Sequence, residues 1–217
     1  MHTLIISGGT IDTDFALDLL KKEKYDHIIG VDGALKFCKE QNIVPTRIVG
    51  DFDTLDPEIL TWYQTHTQIE IRQFNPVKDA TDTQIAIELA MELGSRKITL
   101  IGGTGTRLDH VLGNIQTLYL PFAKGIDCRI VDAHNRIRLV SGELHLKMAE
   151  QWGKYVSLIP FTTDVEGVDL IGFKYPLEKF NFTVLGTGSR GVSNEIAEEE
   201  AVIRIEKGIM ILVESKD

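Results

Sequence analysis

The sequence predicts an α/β domain over residues 1–138, with a mainly parallel sheet and flanking helices, followed by an all-β, sandwich-like domain over residues 139–217. Three observations carry this. Short apolar runs alternate with helix signals through the first ~130 residues, the pattern of βαβ units. Each of those runs ends in Gly or Asp. Beyond that point, apolar and polar residues alternate with period two between Gly, Asp and Pro breaks, the pattern of antiparallel strands.

In chain order, Thr3-Leu4-Ile5-Ile6 is a first strand, closed by Ser7-Gly8-Gly9. Phe15, Leu17, Leu19 and Leu20 mark a helix. His27-Ile28-Ile29-Gly30-Val31 ends at Asp32-Gly33, and Arg47-Ile48-Val49-Gly50 ends at Asp51-Phe52-Asp53. Ile85, Leu89 and Leu93 recur at i, i+4, with Gly94 placed to stop that helix. Lys97-Ile98-Thr99-Leu100-Ile101 precedes Gly102-Gly103. A helix from about Asp109 to Tyr119 is ended or kinked by Pro121. In the second domain the strand signals cover residues 136–140, 143–146, 155–160, 180–185, 201–205 and 208–213.

Charge and composition exclude several classes. The 217 residues carry a net charge of −9, and neither half is basic, so the electrostatic footprint of nucleic-acid binding is missing. No apolar run reaches the ~20 residues that span a bilayer, and no basic and apolar leader opens the chain. Cys38 and Cys128 form no CxxC pair and read as free thiols in a reducing compartment. A cytoplasmic protein is expected.

In parallel sheets ligands sit beyond the carboxyl ends of the strands, so the polar residues there are the candidates. Asp51 and Asp53 flank Phe52. In extended chain they would face one side, roughly 6.6 Å apart along the strand, a spacing that invites a cation. Mg²⁺ takes hard oxygen ligands, commonly one or two carboxylates plus substrate phosphates. In Lys78-Asp79-Ala80-Thr81-Asp82, Asp79 fits an N-cap and Asp82 an N3 residue; one can cap while the other binds metal. Lys78 precedes that helix, in reach of a phosphate. Gly102-Gly103-Thr104-Gly105-Thr106-Arg107 stands between a strand and a helix, where backbone can approach a phosphate and the helix start favours anions. No Gly-Lys-Ser/Thr follows, so it is not a Walker A loop. His110 and Asn114 share a helix face, either as surface or as part of the site. Gly186-Thr187-Gly188-Ser189-Arg190-Gly191 spells GxGxxG, but lies in the β-rich part without a helix after it, and is expected to be a flexible loop. Acids from two segments, a glycine-rich loop, a lysine and an arginine together describe a Mg²⁺–polyphosphate site.

Gly50-Asp51-Phe52-Asp53-Thr54, Lys78-Asp79-Ala80-Thr81-Asp82, Arg107-Leu108-Asp109-His110 with Asn114, and the late Ser193-Asn194 occur in an order that resembles thiamine pyrophosphokinases of the bacterial type. The resemblance covers nearly the whole chain. It implies a catalytic α/β domain, a β domain that helps bind thiamine, and a homodimer with sites near the interface. It implies diphosphoryl transfer from ATP to the thiamine hydroxyl, with AMP released. Carried onto this sequence, it puts Mg²⁺ on Asp51, Asp53 and Asp82, and phosphate charge on Lys78 and Arg107. Asp32, Gly103, Thr104, His110 and Asn114 fall to ATP, and Ser193 and Asn194 to thiamine. Asp109 either orients the thiamine hydroxyl or holds metal. Two rivals stand beside this: a phosphatase with an aspartyl nucleophile at Asp51, since Asp51-Phe52-Asp53-Thr54-Leu55 nearly spells DxDGT, and a non-catalytic nucleotide-binding module.

Overall fold

The runs that end in Gly or Asp become parallel strands. The computed structural model describes residues 1–53, 55–73 and 80–217. The first unit, Met1–Ala133, contains β1 (His2–Ile6), α1 (Thr13–Lys22), β2 (His27–Val31), α2 (Ala34–Glu40), β3 (Arg47–Gly50), α3 (Pro57–His66), β4 (Glu70–Gln73), α4 (Asp82–Glu92), β5 (Lys97–Ile101), α5 (Leu108–Thr117), α6 (Tyr119–Phe122) and β6 (Asp127–Val131). Its strands run in the order β6-β5-β1-β2-β3-β4, every neighbour parallel. Successive side chains point to opposite faces of a strand. Leu4, Ile5 and Ile6 in β1, and Ile98, Thr99, Leu100 and Ile101 in β5, are all buried, so both sheet faces are covered, as a parallel sheet requires. Each fully buried Leu or Ile contributes roughly 1.5–3 kcal/mol.

α2, α3, β4 and β6 have no counterpart among the elements expected from the sequence. For α3 the signals are present: Asp56 caps it by accepting from the Glu58 N–H at 2.9 Å, and Pro57 occupies the first turn. β4 reads Glu-Ile-Arg-Gln and is an edge strand with no fully buried residue. Ion pairs from Glu70 to Arg47 (3.0 Å) and Arg72 (3.2 Å) accompany its pairing, so no apolar run announces it. The helix expected over 109–119 is divided, with Pro121 inside the short α6. Cys38 and Cys128 are both buried and free, and burial pushes the Cys38 thiol up to about 12.

The second unit, His134–Asp217, is β-rich: β7 (Asn135–Lys147), β8 (Tyr155–Pro160), β9 (Asp164–Ile171), β10 (Leu177–Thr183), β11 (Asn194–Glu195) and β12 (Glu200–Ser215). It begins a few residues before the division drawn at 138, because Arg136, Ile137 and Arg138 are already paired with Glu214, Val213 and Leu212. Four expected strands are two long ones. β7 and β12 pair along their length, with a register shift between Ile205 and Met210. Gly142 (φ 68°) and Gly208 (φ 100°) stand at that shift. Glycine there marks a bulge in a continuous ladder, not a strand end. β12 pairs β9 through residues 202–207 and β8 through residues 210–215. Val156, Val165, Phe182, Ile203 and Leu212 belong to the core of this unit. Glu214 is 1% exposed and is met bidentately by Arg136 at 2.5 and 2.7 Å; losing one partner of such a buried pair costs about 3–5 kcal/mol.

Candidate active site

The strand order places the site. From β1 the chain proceeds outward through β2, β3 and β4, then returns to place β5 and β6 on the other side of β1. The loops after β1 and β5 therefore part at adjacent carboxyl ends, the switch point where α/β sheets open a crevice. A cleft of about 700 Å³ lies there. It is lined by residues 7–10 after β1, Asp32 after β2, Asp51 and Asp53 after β3, residues 81–83 at the start of α4, and residues 102–107 with His110 and Asn114. All of it belongs to the first unit.

Two glycine-bearing loops are sewn together at its base. Gly9 N–H donates to the Gly102 carbonyl (2.9 Å) and Thr10 N–H to the Thr104 carbonyl (2.8 Å). A Cβ on Gly9 would run into both carbonyl oxygens, so no other residue allows this approach. The Ser7 and Thr83 hydroxyls meet at 2.7 Å, buried, and tie the β1 end to α4. Ser7, Gly8, Gly9, Thr10, Thr81 and Thr83 were not singled out as site residues from sequence. The Gly8-Gly9 pair was the available signal, read only as a strand stop.

β2 and β3 are neighbours in register, Val31 beside Val49, so their ends bring Asp32 next to Asp51. Asp32, Asp51 and Asp53 each present a carboxylate oxygen within 4.8 Å of the others. Of the expected Asp51, Asp53 and Asp82, the first two stand in this group together with Asp32, which the resemblance assigns to the nucleotide, and Asp82 lines the same cleft outside the group. The route to convergence also differs. β3 stops at Gly50, and Phe52 has φ 61°, a left-handed conformation rare for a bulky residue. The acids meet through a turn, not along an extended strand. Asp53 N–H donates to Asp51 Oδ1 at 3.2 Å, and the Phe52 ring is buried with Leu35, Ile48 and Tyr63. Three carboxylates so close repel one another unless a cation joins them. All-oxygen hard donors fit Mg²⁺.

The cap of α4 is Thr81, whose hydroxyl accepts from Gln84 N–H at 3.2 Å, so Asp82 is the first helical residue and not an N3 partner. Lys78 and Asp79 lie outside the described residues, as does Thr54. α5 has Arg107 at its N-cap with no side-chain cap bond, leaving the helix start to an anion. Arg107 lines the cleft and is gripped by Asp109 at 2.6 and 3.3 Å. That hydrogen bond holds the Asp109 carboxyl below its usual range and raises the guanidinium further. Asp109 itself is not among the lining residues. His110 is exposed, whereas Asn114 is 7% exposed and donates to the Gly103 carbonyl at 2.8 Å. Asn114 thus lines the cleft and holds the loop by its Gly103 carbonyl.

Ser193 and Asn194 sit in the second unit. Ser193 is exposed, has φ 59°, and its N–H donates to the Ser157 hydroxyl at 3.0 Å. Asn194 is buried; its amide accepts from Tyr175 N–H (3.0 Å) and donates to the Tyr175 carbonyl (2.8 Å). Residues 186–191 form a run of turns, including Arg190 N–H to the Thr187 carbonyl at 3.0 Å. β11, not a helix, follows. Among the described residues no helix is long and apolar enough to cross a membrane.

Comparison with known proteins agrees across the chain. The family described as thiamin pyrophosphokinase, catalytic domain, matches residues 16–130, and the thiamin pyrophosphokinase vitamin B1 binding domain matches residues 142–210. A curated thiamine pyrophosphokinase of Bacillus subtilis (strain 168) is 34% identical over 195 residues, 87% of either chain. The crystal structure of thiamine pyrophosphokinase from Bacillus subtilis superposes with a TM-score of 0.86 at 30% identity, covering 100% of both chains. That of thiamin pyrophosphokinase from Geobacillus thermodenitrificans gives 0.86 at 31%, covering 100% of this chain and 98% of the other. Yeast thiamin pyrophosphokinase, 17% identical, shares the fold with a TM-score of 0.81 over 99% of this chain and 86% of its own. By sequence and by fold alike, this chain belongs to the thiamine pyrophosphokinase family.

Proposed function

We propose that the cleft at the β1–β5 switch point binds ATP and is where this chain forms thiamine diphosphate. ATP-dependent thiamine diphosphate formation is the family's reaction. The observation that carries the assignment to this cleft is the convergence, in one crevice, of three mutually close carboxylates with a glycine-rich loop and an uncapped helix start. In the reaction, the thiamine hydroxyl oxygen forms a bond to the β-phosphorus. The bond from that phosphorus to the oxygen bridging to the α-phosphorus breaks, its electron pair leaves with AMP, and the hydroxyl gives up its proton. Such a transfer needs alignment and charge neutralisation more than covalent chemistry.

Asp32, Asp51 and Asp53 would hold Mg²⁺, and Asp82 adds a carboxylate in the same cleft. When bound, the metal supplies positive charge across the polyphosphate. Backbone N–H groups of residues 103–106 and the start of α5 receive phosphate oxygens. Arg107, its plane fixed by Asp109, places a two-pronged donor on them, His110 adds a polar group, and Lys78, four residues before α4 in sequence, is the candidate for a further positive charge. Asp109 positions Arg107 and is not itself the group that meets the thiamine hydroxyl. Ser193 contacts thiamine, with Asn194 shaping the turn that presents it. The working form is a cytoplasmic homodimer with its sites near the interface. The exposed Tyr175, Val184 and Leu185 of the second unit support association, and sedimentation checks it.

Incubation with ATP labelled at the β-phosphorus, Mg²⁺ and thiamine tests the reaction. Label passes to thiamine diphosphate, and unlabelled AMP appears in step. Labelled ADP released with thiamine monophosphate would overturn it. The rival phosphatase reading requires a phosphoaspartate at Asp51 and no dependence on thiamine; the family match removes its support.

A further inference from the structure

Asp132 follows β6 and is not among the residues to which the sequence motifs point. β6 pairs β5 in parallel register, Leu100 beside Ile130. Continued two residues, that register sets Asp132 level with the start of the glycine loop. There Thr104 Oγ1 donates to Asp132 Oδ2 at 2.8 Å. An acid beside a polyphosphate site has the wrong sign for binding, and Asp132 is not among the residues that line the cleft. Its use is as an acceptor. A hydroxyl carries one proton, so Thr104, assigned to ATP from sequence, has no hydroxyl proton left for a phosphate.

The neighbouring oxygens follow the same rule. The Gly102, Gly103 and Thr104 carbonyls accept from Gly9 N–H, the Asn114 amide and Thr10 N–H, at 2.8–2.9 Å. Three carbonyl oxygens and the hydroxyl of the loop are thus each engaged by the protein itself. Held in these bonds, the oxygens are fixed in place, and the loop is left to meet a phosphate with its N–H donors. We propose that Asp132 is a positioning residue for ATP: by taking the Thr104 hydroxyl proton, it holds the loop in its phosphate-accepting form. This rests on reading the cleft as the ATP site.

The test measures equilibrium binding of Mg²⁺–ATP to the full chain by calorimetry, with steady-state KM for each substrate and Tm alongside. Asp132→Ala and Thr104→Val each weaken ATP binding roughly tenfold, the size of one charge-assisted hydrogen bond. KM for thiamine stays within about twofold. The double variant is no weaker than the worse single one, because both remove the same bond. Thr104→Ser restores most of what Thr104→Val loses, which a packing defect at the γ-methyl would not allow. Since Asp132→Ala alone can disturb folding, Thr104→Val probes the bond from its other end. If Thr104→Val binds ATP as the unaltered protein does, or if the two losses multiply to about a hundredfold, the proposal is wrong while the ATP cleft stands. If the unaltered protein binds no ATP, the cleft assignment itself falls, and the role of Asp132 with it.

Discussion

Residues 102–107 and residues 186–191 look alike as text: each has three glycines, a threonine and an arginine within a short span. Their surroundings separate them. The first leaves β5 at the switch point and runs into α5, and its carbonyls are engaged by the β1 loop and by Asn114. The second leaves β10, turns on itself and enters β11. Glycine has a different reason in each. Gly102 lets its loop touch the loop after β1, whereas Gly191 lies against the Leu158 carbonyl, which its own carbonyl answers by accepting from Leu158 N–H at 2.9 Å. Glycine spacing reports close approach; the element that follows decides whether a phosphate or a neighbouring strand is approached.

Neutralising the acids beside the first segment should separate the two regions most strongly. Asp51→Asn and Asp53→Asn each lower kcat by at least about a hundredfold, the scale of losing a main electrostatic contribution to the transition state, and Asp82→Asn lowers it by about tenfold or more. Without Mg²⁺, Tm of the Asp51 and Asp53 variants is equal or higher, because a repelling charge has gone. A near-normal rate at saturating Mg²⁺ in any one of them removes that residue from the site.

Arg107→Lys comes next. It keeps the charge but loses the bidentate fork, and kcat/KM falls roughly ten- to hundredfold. Arg190, the arginine of the second segment, lies over the Phe180 ring at 5.0 Å; Arg190→Lys leaves kcat/KM within about threefold. Equal losses at both positions would erase the distinction drawn between the segments.

The smallest effects come from adding one methyl group. Gly9→Ala forces the two loops apart and destabilises by about 1–3 kcal/mol, the range for overpacking, with weaker ATP binding. Gly186→Ala meets nothing within 4 Å and shifts stability by less than about 0.5 kcal/mol. Paired thermal melts read both. A Gly9→Ala protein as stable as the parent would show that the loops are not in contact.

The ends of β1, β2, β3 and β5 were legible where a short apolar run met a Gly- or Asp-bearing stop, because a parallel sheet buried on both faces selects such runs regardless of partner. Asp51, Asp53, Asp82, Arg107 and His110 were legible as cleft residues for the same reason, standing just past such ends or at helix starts. β4 was not, since its polar edge is accompanied by ion pairs, and β7 and β12 were cut in two because a glycine in a bulge has the same letter as one in a turn.

By itself, then, the sequence determined the alternation of strands and helices in the first unit, the strand-rich character of the second, the side of the sheet on which polar chemistry gathers, and the types of residue available there. The tertiary structure decided which residues come together in the cleft. Asp32 joins Asp51 and Asp53 because β2 lies beside β3. The β1 loop docks on the β5 loop because those strands are neighbours at the switch point. Asp132 reaches Thr104 from β6. Strand adjacency is long-range information: a periodic pattern states that a strand is buried, but which strand lies next to it follows only when the chain has closed the sheet.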